Sequence, residues 1–220
     1  KLQTQFFRAV SHELKTPLTI IKGELEGMLY GVGEYKDKNK YLKHSLKVAD
    51  EMENLIKEIL SVAMIKDENF KLKEEDFNIS KMLEKIYKKH NGLAEDKKIE
   101  IIPNIQDSYN YKGDERLLEK AISNIVGNAI TYSPSKEKVF ITFKDNIINI
   151  ENTGIHIEEE NLKQLFDPFF RIDKSRSRNT GGSGLGLYIA KTVFDYHKIQ
   201  YKIENTKRGV LFTIILPSNR

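Results

Sequence analysis

This 220-residue sequence lacks several features, and each absence narrows the class of protein. It has no cysteine, which excludes disulfides and thiolate metal sites and suits a reducing compartment. It has no apolar run near the roughly 20 residues that a membrane-spanning helix needs, and no signal peptide. It begins at Lys1 rather than at methionine, so we expect a fragment of a longer protein.

An excess of charge of one sign is also missing. The sequence has 36 Lys and Arg residues against 32 Asp and Glu residues, and the two signs are interspersed. Because nucleic-acid binding needs clustered basic charge, this pattern does not indicate a nucleic-acid partner. The hydrophobic content of 39% and charged content of 31% are typical of a globular chain with one or two cores.

Residues 1–66 contain two predicted helices with apolar residues at mostly three- or four-residue spacing. The first set is Phe7, Val10, Leu14, Ile21, Leu25, Met28 and Val32, and the second is Leu42, Leu46, Ala49, Met52, Ile56, Ile59 and Ala63. Residues 31–37 supply a turn, which predicts a helical hairpin. One hairpin has too little apolar surface to be stable alone, so we expect a four-helix homodimer. Docking of the hairpin on the chain's own second domain is the alternative.

A histidine lies off this apolar face, in the segment Ser-His-Glu-Leu-Lys-Thr-Pro at residues 11–17. An exposed helical histidine is usually only a surface residue. Here Glu13 can accept a ring proton or fix the tautomer of His12. Pro17 removes a helical hydrogen bond, so the helix should kink or loosen. Thr16 lies one turn from His12, on the same face. The segment therefore predicts a nucleophilic imidazole.

The rest of the chain mixes helical and strand patterns after a charged segment at 67–77, which we interpret as a linker. The predicted helices cover 79–87, 117–130 and 185–196. The predicted strands cover 99–102, 109–111, 139–143, 147–150, 201–203 and 210–216. Asp145-Asn146 indicates a hairpin turn. Helices segregated from a mixed sheet predict an α+β two-layer sandwich.

Asn124 and Asn128 share a face of a helix that is otherwise apolar. Buried amides need hydrogen-bond partners, so one interpretation is that both only hold neighbouring backbone in place. The other is that the Asn128 oxygen binds Mg²⁺, which prefers hard oxygen ligands and shares nucleotide phosphates, while Asn124 supports the phosphates.

A glycine-rich turn, Gly-Gly-Ser-Gly-Leu-Gly-Leu at residues 181–187, opens a predicted helix. Gly182, Gly184 and Gly186 let backbone amides converge at the start of this helix, which is typical of a phosphate site. The turn does not follow a strand of a βαβ unit and no lysine follows it, so neither a dinucleotide fingerprint nor a Walker loop fits. With His12, this turn predicts phosphoryl transfer from a nucleotide to the imidazole.

The motifs resemble those of bacterial sensor histidine kinases of two-component systems. Residues 12–18, His-Glu-Leu-Lys-Thr-Pro-Leu, resemble the phosphoacceptor box, and residues 124–129, Asn-Ile-Val-Gly-Asn-Ala, the asparagine box. Residues 166–171, Phe-Asp-Pro-Phe-Phe-Arg, resemble the phenylalanine box, and residues 182–187, Gly-Ser-Gly-Leu-Gly-Leu, the second glycine box. The four motifs occur in the family's order and span essentially the whole chain.

This resemblance implies a fold, an activity and partners. The expected fold is a dimerisation and phosphoacceptor hairpin at 1–66, a linker at 67–77, and an ATP-binding α+β sandwich of the GHKL or Bergerat type at 78–220. The expected activity is autophosphorylation of His12 by ATP with Mg²⁺, then transfer to an aspartate of a response regulator, with phosphatase activity toward that regulator. The chain would be the cytoplasmic portion of a bacterial cell-membrane protein, with its sensor and membrane segments upstream.

The resemblance also implies the site residues. Catalytic roles fall on His12, Glu13 and Thr16, and the Mg²⁺ ligand is Asn128. The implied nucleotide-binding residues are Asn124, Asn128, Tyr132, Asn152, Gly154, Phe169, Arg171, Lys174, Gly182, Gly184, Leu185, Gly186 and Leu187. Tyr132 would pack near the adenine, although a core role stays open. Residues 171–180 resemble the mobile ATP lid, the alternative being a solvated basic loop.

Three positions depart from the family's pattern. Thr131 replaces a common Lys or Arg, Asn152 replaces an Asp, and His156 replaces a Gly. Asn152 can still accept a hydrogen bond from the adenine amino group, with less charge assistance. Two other functions therefore stay open. One is a phosphatase-biased or scaffold role with weak kinase activity. The other is a nucleotide-gated clamp, as in related chaperone and topoisomerase ATPases, which lack the His-Glu-x-x-Thr-Pro helix.

Overall fold

The computed structural model describes residues 2–106, 108–172 and 182–217, and of residues 2–5 only the backbone. The chain divides into two compact units, Lys1–Met64 and Ile65–Arg220. Residues 67–77, which the sequence suggested as a linker, fall in the second unit. The predicted domain limits of 1–66 and 78–220 stay predictions.

The first unit is a helical hairpin. Helix α1 spans Leu2–Tyr30, a 3-10 turn spans Gly33–Lys36, and helix α2 spans Lys38–Ile65, with its last residue in the second unit. The connection turns sharply because Gly31 and Gly33 adopt φ angles of 63° and 56°. Helix α1 continues through Pro17, so the proline does not interrupt it.

Helix α2 carries two apolar faces, displaced from each other by one residue. The inner face is buried or half-buried and consists of Tyr41, Ser45, Val48, Met52, Leu55, Ile59 and Val62. The outer face is exposed and consists of Leu42, Leu46, Ala49, Ile56, Leu60 and Ala63. The inner face repeats with alternating spacings of three and four residues, as in a bundle of helices. The outer face does the same except at Glu53, which leaves a spacing of seven residues between Ala49 and Ile56. The apolar set predicted for α2 takes Met52 and Ile59 from the inner face and its other residues from the outer face.

A polar cluster interrupts the inner face of the hairpin. The Glu24 carboxylate of α1 is buried, at 6% exposure. Its Oε1 lies 2.5 Å from His44 Nδ1, and its Oε2 accepts a hydrogen bond of 2.5 Å from Ser45 Oγ. Because a buried carboxylate needs partners, this cluster fixes α1 against α2 at one register.

The second unit contains seven strands and four helices within the described residues. The strands are β1 (Glu75–Asn78), β2 (Glu100–Ile105), β3 (Asn110–Gly113), β4 (Lys138–Lys144), β5 (Ile147–Thr153), β6 (Gln200–Asn205) and β7 (Gly209–Ile215). The helices are α3 (Ile79–Asp96), α4 (Glu115–Tyr132), α5 (Glu159–Leu162) and α6 (Gly186–Tyr196). Every helix and strand predicted for this region is present, with most ends shifted by a few residues, while α3 extends nine residues beyond the predicted end at residue 87.

The main sheet has the strand order β2-β4-β5-β7-β6. The pair β2–β4 is parallel and the other pairs are antiparallel, while β1 and β3 form a separate antiparallel pair. Asp145 and Asn146 link β4 to β5 with φ angles of 51° and 62°, which confirms the predicted hairpin turn.

Helices α3, α4 and α6 form the second layer of this unit. Strand β4 alternates exposed and buried residues, so one face of the sheet points toward the helices. Ile141, Phe143 and Ile148 of the sheet are fully buried, as are Ile122 and Phe194 of the helices. The predicted α+β two-layer sandwich is confirmed.

Candidate functional site

His12 lies on the exposed side of α1, as the sequence predicted. Its side chain is 80% exposed, and its Nδ1 lies 3.6 Å from Glu13 Oε1. That distance exceeds a hydrogen bond, so the carboxylate acts on the ring through its charge or through an intervening water. Thr16 Oγ1 donates to the His12 carbonyl at 3.3 Å. The three side chains form one patch, the acceptor patch, that a large partner can reach.

Helix α4 presents a polar stripe to solvent beside the buried residues that it packs into the core. Asn124, Gly127, Asn128 and Thr131 are half-buried, in contrast to the buried neighbours on their flanks. They recur at the spacing that places residues on one side of a helix. This stripe is therefore the side of α4 that a ligand can approach.

Asn124 joins this stripe to the start of α6. Its Nδ2 donates to the Gly186 carbonyl at 3.1 Å. A Cβ atom added to Gly186 would lie 3.6 Å from the Asn124 side chain, so the two helices meet closely here. Asn124 thus holds neighbouring backbone, as one interpretation of the sequence expected. The Asn128 amide hydrogen-bonds to no group in the described ranges, which leaves its oxygen open to a ligand.

The glycine-rich turn packs backbone to backbone against Phe169. The Phe169 N–H donates to the Gly184 carbonyl at 3.0 Å. Gly184 has a φ of 75°, and an added Cβ would lie 2.8 Å from Phe169 Cα, so a side chain does not fit. A Cβ on Gly182 would lie 3.9 Å from the Tyr132 hydroxyl at the end of α4. The predicted phenylalanine and glycine boxes and the end of α4 therefore meet.

Two leucines of this turn differ in how deeply they are buried. Leu185 is fully buried, and its N–H donates to Ser183 Oγ at 3.0 Å, so its side chain belongs to the core. Leu187 is half-buried, and so is Arg171, the first residue of the predicted lid. Residues 173–180 of that predicted lid lie outside the described residues. Lys174 lies outside the described residues.

Strand β5 contacts the C-terminal end of α4, beyond the Thr131 end of the stripe. Asn152 Nδ2 donates to Ser133 Oγ at 3.2 Å, and Ser133 Oγ donates to the Ala129 carbonyl at 2.7 Å. Gly154 has a φ of 80°, and an added Cβ would lie 2.5 Å from the Glu137 side chain. Ser133 was missed in the sequence, where its only signal was the Ser-Pro step that ends the helix.

A lysine that sequence reasoning also missed caps α4. Lys97 Nζ donates to the Ile130 carbonyl at 3.2 Å and to the Thr131 carbonyl. Burial lowers the pKa of Lys97 from its ordinary value. A cation at this position stabilises the carbonyl end of the helix.

A metal site made by acidic side chains is not part of this arrangement. No group of three or more His, Cys, Asp or Glu side chains in the described ranges could hold a metal ion. The open amide oxygen of Asn128 is the type of hard oxygen ligand that Mg²⁺ accepts.

Two family models match the chain in sequence order. The His Kinase A (phospho-acceptor) domain matches residues 2–68, and the histidine kinase-, DNA gyrase B-, and HSP90-like ATPase matches residues 113–220. The chain is also 37% identical over 219 residues to the sensor protein VanSB of Enterococcus faecalis, an alignment that covers 98% of the chain. The chain belongs to the sensor histidine kinases. Its second matched domain is an ATPase domain, which supports ATP as the nucleotide.

Other sensor histidine kinases support the same assignment. CusS of Escherichia coli is 30% identical over 220 residues, covering 98% of this chain. The structure of Acinetobacter baumannii histidine kinase AdeS superposes with a TM-score of 0.75 at 25% identity, covering 94% of this chain and 98% of that one. The chain spans about half the length of the curated relatives it matches, 49% of VanSB and 46% of CusS.

No helix within the described residues is both long enough and apolar enough to cross a bilayer.

Proposed function

We propose that this sensor histidine kinase chain binds ATP with Mg²⁺ on its second unit and transfers the γ-phosphoryl group to His12. An aspartate of a response-regulator receiver then accepts the group. The observation that carries this proposal is the pairing of two sites in one chain. One is the exposed acceptor patch on α1, and the other is the open polar stripe of α4 beside a glycine-rich turn.

The acceptor chemistry follows from the ring and its neighbour. Glu13 lies on the Nδ1 side of His12, so its charge favours the tautomer with the proton on Nδ1. The Nε2 lone pair is then the nucleophile. As Nε2 forms its bond to the γ-phosphorus, the bond from phosphorus to the β–γ bridging oxygen breaks and ADP leaves.

The nucleotide would lie along the stripe of α4. The Asn128 oxygen would hold Mg²⁺, which when bound offsets phosphate charge. Gly182, Gly184 and Gly186 would present backbone at the start of α6, where a helix favours anions. Tyr132 and Asn152 would meet the base. The remaining assigned residues, namely Asn124, Gly154, Phe169, Arg171, Lys174, Leu185 and Leu187, would line the phosphates, the base or the lid.

The first unit would form a homodimer through its outer face. Leu46 and Leu60 of this face are 64% and 61% exposed in the single chain, and Leu29 of α1 is 75% exposed. A monomer rarely leaves so many large apolar side chains together on one surface. Pairing two hairpins through this face would complete a four-helix bundle.

The partner and setting complete the proposal. Thr16 would place a water against the phosphoaspartate of a docked regulator and so give phosphatase activity. The chain would act as the cytoplasmic portion of a bacterial membrane protein, with no nucleic-acid partner.

A phosphatase-biased role with weak kinase activity is the second candidate. It is favoured by Thr131 and Asn152, which are neutral where the family often carries charge. The nucleotide-gated clamp is disfavoured, because the phosphoacceptor domain model matches residues 2–68.

Two substitutions test the main proposal on the full chain. We expect His12→Gln to bind ATP as the parent does and to incorporate no phosphate from γ-labelled ATP. We expect Asn128→Ala to lose both Mg²⁺-dependent ATP binding and labelling. His44→Gln is the control, since it removes another histidine of the same unit and should be labelled normally. Normal labelling of either test variant would contradict the assignment of that residue.

A further inference from the structure

A hydrogen-bond chain at the end of α4 fixes the orientation of the Asn152 amide. Ser133 is buried, at 4% exposure, and its hydroxyl proton is committed to the Ala129 carbonyl at 2.7 Å. A hydroxyl has one proton, so Ser133 Oγ can only accept from a second neighbour. Asn152 Nδ2, at 3.2 Å, fills that place. A flipped amide would bring Oδ1 against Ser133 Oγ, two acceptors with no proton between them.

With Nδ2 held in this way, Oδ1 is the Asn152 atom left for a ligand. No group in the described part of the chain donates to Oδ1, and this oxygen is not sealed from solvent. The site therefore presents the Asn152 acceptor, while one of the two Nδ2 hydrogens is committed to Ser133.

Whether this position offers the base an acceptor or a donor affects which base the site selects. A carboxylate at this position could only accept, in either orientation. An amide becomes a donor when it rotates by half a turn, so its preference depends on the group that holds it. Adenine has an amino donor at position 6, whereas guanine has a carbonyl acceptor there.

We propose that Ser133 is a positioning residue that sets the nucleotide preference of this site by locking the Asn152 amide with its oxygen toward the base. The lock favours a base with a 6-amino group over one with a 6-carbonyl group. This inference rests on the proposed function, in which Asn152 meets the base.

The test measures dissociation constants of Mg²⁺-ATP and Mg²⁺-GTP for the full chain. The parent should prefer ATP at least about tenfold, and Ser133→Ala should reduce that ratio at least about fivefold because the amide can then flip. Ser133→Thr keeps the hydroxyl and should keep the ratio. Ser133→Cys keeps the shape but is a weak acceptor, so it should shift the ratio as Ala does and serves if the Ala variant does not fold.

The background variant Asn152→Asp sharpens the test. A carboxylate cannot donate in either orientation, so adding Ser133→Ala to Asn152→Asp should change the ratio less than about twofold. Equal losses of ATP and GTP affinity in Ser133→Ala would show a merely structural role and overturn the proposal. A parent chain that binds ATP without preferring it to GTP would also overturn it. A parent that binds neither nucleotide would instead refute the proposed function itself, and with it the role of Ser133 in orienting Asn152.

Discussion

The two units differ in where their apolar surface lies, and this difference separates what each can do alone. In the sandwich, Ile141, Phe143 and Phe194 are fully buried, so its core is closed within one chain. In the hairpin, Leu29 and Leu46 are 75% and 64% exposed. The sandwich can therefore present a ligand site without help, whereas the hairpin needs a second apolar surface to become stable.

The candidate functional side chains of the two units also differ, in how exposed they are and how firmly hydrogen bonds hold them. His12 is 80% exposed on α1 and its nearest charged neighbour, Glu13, lies beyond hydrogen-bond distance. Asn124 and Asn152 are instead held by hydrogen bonds to Gly186 and Ser133. A phosphoacceptor must meet more than one partner and benefits from an open position. A nucleotide site benefits from side chains that are fixed before the ligand arrives.

The largest expected effect is on association of the hairpin. Leu46→Asp places a charge in the outer face of α2 twice in a symmetric pair, where it would be desolvated. We expect the dimer dissociation constant, measured by sedimentation equilibrium, to rise at least about 100-fold, or about 2.7 kcal/mol.

Asn54→Asp is the matched control for this prediction. It adds the same charge at an exposed position outside both apolar faces of α2, and it should leave the dimer intact. A parent chain that stays monomeric at micromolar concentration would remove the basis of the comparison between the two units.

The next prediction divides two activities of the acceptor patch. Thr16 lies one turn from His12, and its exposed hydroxyl donates to the His12 carbonyl at 3.3 Å. The hydroxyl can accept from a water at a docked phosphoaspartate in that position, or rotate away from the carbonyl to donate to the water. We expect Thr16→Ala to keep autophosphorylation within a few-fold and to slow regulator dephosphorylation at least about tenfold, or about 1.4 kcal/mol of barrier.

Both rates should be measured on the same preparation, because Thr16 also bonds to the His12 carbonyl. If the hydroxyl only stiffens the helix before Pro17, the two rates will fall together or neither will change. Thr19→Ala is the control, since its hydroxyl also bonds the carbonyl four residues before it.

A smaller effect is expected for acid stability of the sandwich. His197 accepts a hydrogen bond from the Asp114 N–H at Nε2 and donates from Nδ1 to the Val193 carbonyl, so its ring is neutral. Burial lowers the pKa of His197, although the hydrogen bond to the Val193 carbonyl, and then the charges of Asp114 and Glu74, oppose the shift. Burial, with a contribution from Lys89, also lowers the pKa of His90.

The direction in which stability changes with pH follows from proton binding. The unfolded chain binds more protons wherever the pH lies between the lowered folded pKa and the unfolded value of about 6.5. Stability from these histidines is thus full above about pH 6.5 and falls as the pH drops toward the folded pKa, by at most about 1.4 kcal/mol per pH unit and histidine.

Urea unfolding, followed through methyl NMR signals of Ile141 and Ile148, would measure this loss in the second unit. His197→Gln cannot titrate and should make the loss shallower. His156→Gln is the control because His156 is exposed. An unchanged slope in His197→Gln would contradict the assigned cause.

Much of the fold could be predicted from local pattern. The two-residue turn at Asp145 and Asn146 was predictable because both residue types tolerate positive φ, and α4 was predictable because its apolar residues repeat at helical spacing. The order of the sheet was not predicted, since the parallel β2–β4 pair joins strands with a helix and another strand between them.

The faces of the hairpin could not be separated by sequence reasoning. Its inner and outer apolar stripes are one residue apart, so a search for one helical face mixes them. Glu24 looks like a surface residue in the sequence, because its partners His44 and Ser45 lie on the other helix.

The candidate site was predicted by motif rather than by pattern. The family resemblance named Asn124 and Asn152, but the groups that hold them, Gly186 O and Ser133 Oγ, are set by tertiary contacts. Lys97 was missed for the same reason, because it reaches the end of α4 from the end of α3.

The central claim is that one unit binds ATP and the other accepts its γ-phosphoryl group on His12. Incubation of the full chain with γ-labelled ATP and Mg²⁺, followed by acid and alkali treatment, tests it most directly. The account predicts a label that is lost in acid, survives alkali and is absent from His12→Gln. A chain that binds ATP but takes up no label, or a label that survives acid or persists in His12→Gln, would contradict it.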